Sequence, residues 1–299
     1  MPSTRRTCLT LAMLSPLLAR CASETDPITA AMASIKPLFK RKSAPLPGDW
    51  LAEHKEPGQS YRQFRALVPK RAIDTYSTLR LVPIGPLSDG QSQVLGVVRD
   101  FLQAFFGLSL VMDPPVSLDE IPAEAQRMEE LPTLRQLLTT HLLSTLLVRR
   151  RQARDAAVLG ITAVDLWPGP GWNFVFGQAS LRERVGVWSM ARNGDADAGP
   201  ESLTTCTIRT VMTATHETGH MFGIRHCIAY ECGMNGSNSN HERDRQPFEF
   251  CPECQAKLWW TCRLDPLARS RALEAVAGGH GLKITAANFA RQSEALARA

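Results

Sequence analysis

The sequence predicts an α/β (α+β) fold: a mixed sheet, a long helix bearing metal-ligand spacing, and a helical C-terminal part. Three observations predict it. β-type runs alternate with helical segments between residues 78 and 191, a pattern that argues for a mixed sheet covered by helices. Histidines recur at one-turn spacing inside residues 216–226. Helical composition then resumes at Pro252. The 299 residues suffice for a large core, and 44% apolar with 21% charged residues is ordinary globular composition.

Residues 1–44 read as an N-terminal extension, ending at the linker Ala44-Pro45-Leu46-Pro47-Gly48. Residues 45–265 are the predicted main domain, and 266–299 a C-terminal helical segment broken at Gly278-Gly279. Thr78–Ile84 is a β-type run, followed by a helix over Ser92–Phe106 and a second strand over Leu108–Met112. Pro114–Glu130, acidic and proline-bearing, reads as loop. A helix is predicted after Pro132, with Thr133 as N-cap and Gln136 completing a capping box, running to about Ala157. Val158–Leu166 is a third strand, stopped by Trp167-Pro168-Gly169. Asn173–Leu181 and Val185–Ala191 are two further β-type runs, joined by Arg182-Glu183-Arg184. A helix is expected from Thr207 to Phe222, because the metal spacing outweighs the poor helix propensity of its Thr, Ile and Val residues. Asn235–Arg245 is polar and reads as loop.

The stretch from His216 to His226 fits H-E-x-x-H-x-x-G-x-x-H at every fixed position. On a helix, His216 and His220 share one face and can reach one ion. Glu217 sits beside that ion, placed to act as general base. Gly223 has no Cβ, so the helix can end in a left-handed residue and the chain can turn back to deliver His226. Three histidines leave the fourth zinc position free for water, which marks a catalytic site. Histidines that merely pack or face solvent are the competing account, disfavoured because three of the seven fall in this one segment. Met234 lies at the range of a supporting turn beneath the metal; an ordinary core methionine is the alternative.

Cys227, Cys232, Cys251 and Cys254 form C-x₄-C and C-x₂-C pairs that suit a second, structural Zn²⁺, giving two zinc ions per chain. Two disulfides or a redox C-x-x-C are the alternatives. Cys206 and Cys262 read as small buried residues.

These motifs together, H-E-x-x-H-x-x-G-x-x-H-C, then C-x-M, then C-x-x-C, resemble the archaemetzincin family of zinc peptidases. The likeness extends to Gly48-Asp49-Trp50-Leu51, Glu56-Pro57-Gly58-Gln59-Ser60, Leu159-Gly160-Ile161-Thr162, Asn173–Ala179 and Val185–Ser189. It covers roughly residues 45 to 265. The resemblance implies a metzincin-like fold, one catalytic and one structural zinc, and peptidase activity. Astacin-type relatives carry a tyrosine two residues after the turn methionine; here that position is Gly236, so oxyanion stabilisation by that route is absent.

The expected function is hydrolysis of peptide bonds, with a zinc-activated water as nucleophile and Glu217 as general base. Endopeptidase or aminopeptidase action is left open. The alternative is a catalytically inactive zinc-binding or scaffold protein. Asn173–Leu181 is a weak candidate for an edge on which substrate lies, an ordinary core strand being preferred. Net charge is +5, and the clusters Lys40-Arg41-Lys42 and Arg149-Arg150-Arg151 with Arg154 read as solvated faces, so no nucleic-acid partner is expected. No apolar run reaches bilayer-spanning length. Arg5-Arg6 before the apolar Cys8–Ala19 resembles a short export signal, but Arg20 before Cys21 disfavours cleavage. A cytoplasmic monomer acting on peptides or proteins is therefore expected, with export as the alternative.

Overall fold

A computed structural model describes residues 26–67, 75–130 and 133–298. The signal-like run Cys8–Ala19 and Pro132 lie outside the described residues. Strand β1 (Thr78–Ile84) pairs in parallel with β2 (Ser109–Met112) on one side and β5 (Asp155–Thr162) on the other. β5 pairs in parallel with β8 (Val185–Ser189), and β7 (Gly177–Ser180) runs antiparallel on the far edge of β8. The resulting five-stranded mixed sheet has the order β2-β1-β5-β8-β7.

The interior strands are buried on both faces, and their side chains separate with period two. Leu79, Leu81, Leu159, Ile161 and Trp188 face one core, which the helices cover; Val82, Ile84, Val158, Val185 and Val187 face a second, smaller core. α4 (Asp89–Phe106) and α6 (Pro200–Met221) pack against each other over the larger core. Ser88 and Gln91 close a capping box at the start of α4, and Gly107 ends it at φ 61°.

The expected helix over 133–157 is corrected. β4 (Thr133–Leu138) pairs antiparallel with β3 (Gln126–Glu130) and parallel with β6 (Asp165–Trp167), forming a three-stranded sheet. Gln136, the supposed capping-box partner, is fully buried: it donates to Asp165 Oδ2 at 2.7 Å and accepts from Arg127 Nε at 2.7 Å. That cross-strand network satisfies a buried amide in a way no exposed first helical turn would, and tertiary context overrides the leucine spacing. Helical backbone appears only afterwards, in α5 (Thr139–His141) and its continuation to Arg150, and it gives way to β5 before Ala157. The loop expected over Pro114–Glu130 likewise contains β3, and the single strand expected over Val158–Leu166 is divided between β5 and β6.

α6 starts at Pro200, seven residues before the expected Thr207. Its threonines are tolerated because their hydroxyls bond back along the helix. Thr207, Thr210 and Thr218 each donate to the carbonyl four residues earlier at 2.7 Å. Beyond the sheet, α7 (Asn240–Arg243) interrupts the expected polar loop, and α8 (Pro252–Thr261) follows the last cysteine pair. α9 (Pro266–Gly279) ends at the expected glycine break and pairs with α10 (Lys283–Ala297). Within the segment expected as an extension, α1 (Pro27–Ile35) packs on α8 and α10.

Candidate metal centre and active site

The last two turns of α6 carry His216, Glu217 and His220. Gly223 at φ 84° ends the helix, with its N–H on His220 O at 2.8 Å, and turns the chain so that His226 returns beside them. One ring nitrogen from each histidine lies within 4.8 Å of the others. The opposite nitrogens are all held by acceptors. His216 Nδ1 meets Gly233 O at 2.9 Å, His220 Nδ1 meets Ile224 O at 2.7 Å, and His226 Nδ1 meets Glu56 Oε1 at 2.8 Å. A carbonyl or carboxylate can only accept, so each Nδ1 carries the proton and each Nε2 presents a lone pair.

His216 Nε2 and His220 Nε2 stand 3.0 Å apart with no proton to place between them. Two facing lone pairs repel, and a cation between them removes the conflict. Burial and the other imidazoles push His216 well below its usual pKa, and His220 down to about 4, so both are neutral donors at neutral pH. The donor set fits a soft-to-borderline divalent ion.

Two supports of this cluster escape sequence reasoning. Glu56, 170 positions from His226, accepts from that ring and from Trp50 Nε1 at 2.9 Å. Burial alone would raise its pKa, but the hydrogen bonds from His226 and Trp50 outweigh it and hold the carboxyl below its usual range. Trp50, at the start of α2 (Trp50–Glu53), stands edge-on to His226 with ring centroids 5.2 Å apart. A Cβ at Gly236 would lie 2.5 Å from the Trp50 ring, so the indole fills the space a side chain at 236 would need. Both residues lie in stretches that resemble the family's N-terminal part, the one signal that could have singled them out.

Met234 is fully buried beneath the histidines; a Cβ on Gly219, within the motif, would meet its sulfur at 2.8 Å. The same turn supplies Gly233 O to His216, while Cys227 N–H bonds Met234 O at 2.8 Å. Thus the turn, its methionine and the histidine cluster are one packed unit.

Glu217 is partly exposed at the floor of a cleft of about 570 Å³, lined also by Trp50, residues 171–179 and the three histidines. Crowding by protein on its other sides pushes its pKa up to about 7, with Arg243 pulling the other way. β7, which the sequence reading placed in the core, is an edge strand of half-buried residues along the cleft.

Cys227, Cys232, Cys251 and Cys254 form a second, buried cluster, their sulfurs within 4.8 Å of one another and all free. Backbone N–H groups of Cys251 and Met234 point at Cys232 Sγ, at 3.1 and 3.4 Å. Hydrogen bonds from the other three thiols hold Cys227 far below its usual pKa, whereas burial and the same neighbours push Cys232 well up. Four thiolates gathered in one buried cluster would require a cation. Lys257, almost fully buried, brings Nζ to 4.0 Å from Cys254 Sγ. Cys206 and Cys262 are buried apart from both clusters.

Comparison with known proteins identifies relatives over most of the chain. The sequence model of peptidase family M54 matches residues 111–259. The chain is 32% identical over 273 residues to archaemetzincin-2 of Mus musculus, covering 79% of this chain and 74% of that protein. It is 30% identical over 284 residues to archaemetzincin-2 of Homo sapiens, covering 84% and 78%. The crystal structure of archaemetzincin from Methanopyrus kandleri superposes with a TM-score of 0.50 at 31% identity, over 63% of this chain and 97% of that one. By these matches in sequence and fold, the chain belongs to the archaemetzincin family of zinc metallopeptidases.

Proposed function

We propose that the cleft hydrolyses peptide bonds using one Zn²⁺ on His216, His220 and His226, while a second Zn²⁺ on Cys227, Cys232, Cys251 and Cys254 is structural. The observation that carries this reading is the convergence of three Nε2 lone pairs beside the Glu217 carboxyl, whose pKa lies near neutrality. A zinc ion held there would supply a Lewis acid for water and for the scissile carbonyl. Glu217 is the general base: with a pKa of about 7 it can take a proton from attacking water and return it to the leaving amine at the same pH. Met234, buried against Gly219 of the motif, holds the helix turn at the level of that carboxyl.

The free edge of β7 supports an extended substrate docking as an added strand beside the reacting centre. Trp50, in place of a side chain at Gly236, closes the opposite side. Residues 45–265 carry the site in this reading, with 266–299 a helical segment packed on it and 1–44 an extension whose α1 docks on both. Unpaired buried thiols support a reducing, cytoplasmic setting, and a monomer completes the proposal. Among the described residues, no helix is long and apolar enough to cross a membrane.

The test is hydrolysis of a mixed peptide library by the wild type and by Glu217→Ala, with zinc content measured on both. Cleavage by the wild type alone at equal zinc loading supports the assignment. Substantial turnover by Glu217→Ala removes Glu217 from its role, and a fully loaded but inert wild type favours the rival reading of a zinc-binding scaffold.

A further inference from the structure

Arg243 is the one charged side chain besides Glu217 among the described residues lining the cleft. It is 6% exposed, yet it has no ion pair with a described carboxylate. Nη2 donates to Asn193 Oδ1 at 3.0 Å and to Asn240 Oδ1 at 2.6 Å, Nη1 donates to Thr213 Oγ1, and Nε has no partner. The guanidinium lies 4.2 Å from the centre of the Phe176 ring. All of these contacts are neutral. Nearby Asp244 is engaged elsewhere, bonding Arg209 through both oxygens.

A buried cation with no ion pair is costly because it has lost its hydration, and here only the fields of Asp244 and Glu217 offset that loss. Burial and the neighbouring Arg209 lower its pKa to about 10, which still leaves it charged at neutral pH. Thr213, its anchor on α6, precedes Glu217 by four residues and so shares its helix face, about 6 Å along the axis. The positive charge is therefore anchored within roughly two residues of an extended peptide, about 3.4 Å per residue, from Glu217.

We infer that Arg243 makes this cleft select peptides bearing a carboxylate next to the scissile bond. The inference rests on the peptidase reading only for the ligand's being a peptide. The carboxylate comes either from an acidic side chain or from a free C-terminus, and both would use the same guanidinium at the cleft wall. The wall formed by Met212, Thr213, Asn235 and Gln246 is neutral, and Glu217 is the one acidic group among the described residues lining the cleft.

A purely structural clamp between α6 and α7 would affect all peptides alike, so the informative quantity is a ratio. Binding is measured to zinc-loaded Glu217→Ala, where turnover cannot interfere, with matched peptides: Glu against Gln beside the intended cleavage point, and free C-terminus against C-terminal amide. A charge-assisted contact predicts about ten- to hundredfold tighter binding of the acidic member of at least one pair, and the pair that shows it identifies the source. In Glu217→Ala/Arg243→Gln that ratio falls towards one; in Glu217→Ala/Arg243→Lys part of it survives. Equal affinity for acidic and amide members of both pairs in Glu217→Ala overturns the inference, and this comparison needs no Arg243 variant to fold. A ratio that persists undiminished in a folded Arg243→Gln protein also overturns it. Should the wild type cleave nothing while the binding ratio is present, the peptidase reading fails and the carboxylate selectivity stands.

Discussion

Replacing Glu56 gives the sharpest test of how the histidine cluster is held. Its Oε1 accepts from both His226 Nδ1 and Trp50 Nε1, at 2.8 and 2.9 Å, and its side chain is 20% exposed. Glu56→Ala leaves both donors without that partner and frees the His226 ring to turn. Glu56→Gln keeps an oxygen acceptor but removes the charge that makes the imidazole a better donor to metal. Loss of such a ligand-orienting carboxylate weakens metal affinity about 10- to 100-fold, equivalent to roughly 1.4–2.7 kcal/mol. Because charge-assisted hydrogen bonds are about twice as strong as neutral ones, the glutamine variant should fall near the lower figure and alanine near the upper. Competition with a chromophoric chelator at neutral pH measures this, with the zinc proposed for the cysteine cluster as internal reference. Wild-type affinity in folded Glu56→Ala, or equal weakening of both ions, would refute the reasoning.

Three further outcomes follow from the geometry. A chelator should first remove the histidine-bound ion, abolishing activity while the melting temperature changes little, and lower that temperature only when the cysteine-bound ion is stripped; zinc analysis during thermal melts checks the order. Arg80 spans β1, β5 and the end of β2 by bonding Asp155 at 2.8 Å and Asp113 at 2.5 Å, so Arg80→Ala strands buried Asp155 and should cost about 3–5 kcal/mol in urea unfolding. For Asp49, burial raises the carboxyl pKa, but the Leu46 N–H and Arg245 outweigh it and hold it below its ordinary 3.8. A depressed acid stabilises the fold above its unfolded pKa and loses that contribution as pH falls through the folded value. Asp49→Asn should thus be less stable by about 1 kcal/mol at neutral pH and converge with the wild type below pH 3.8, as followed by denaturant titration across pH.

The features legible in the sequence are those governed by short-range spacing. His216, Glu217, His220 and His226 owe their convergence to one helix turn and one glycine, and the four cysteines to two local pairs. Alternation of β-type runs with helices likewise anticipated β1, α4, β2 and β8 within a few residues. What stayed hidden depends on partners far along the chain. Gln136 looked like a capping residue because its strand partners Arg127 and Asp165 are not identifiable from local pattern. Nothing around Glu56 indicates a histidine partner, and Arg243 resembled any arginine in a polar loop until burial among Asn193, Asn240 and Thr213 set it apart. β7 was judged interior because its composition does not reveal which sheet edge it occupies.

The segment from Trp50 to Tyr61 makes its main bonds with residues that are synthesised much later. Trp50 N–H reaches Glu242, Glu56 reaches His226, Lys257 Nζ reaches Gln59 O, and Tyr61 N–H reaches Glu253. At about 5–20 residues per second, a ribosome needs roughly 10–35 s to travel the 170 positions between Glu56 and His226. Throughout that interval the arm has no docking surface, and the histidine cluster, once made, stays unbraced until the arm finds it. Bracing of the histidine cluster by this arm is thus timed by the closing of loops of 170 to 198 residues.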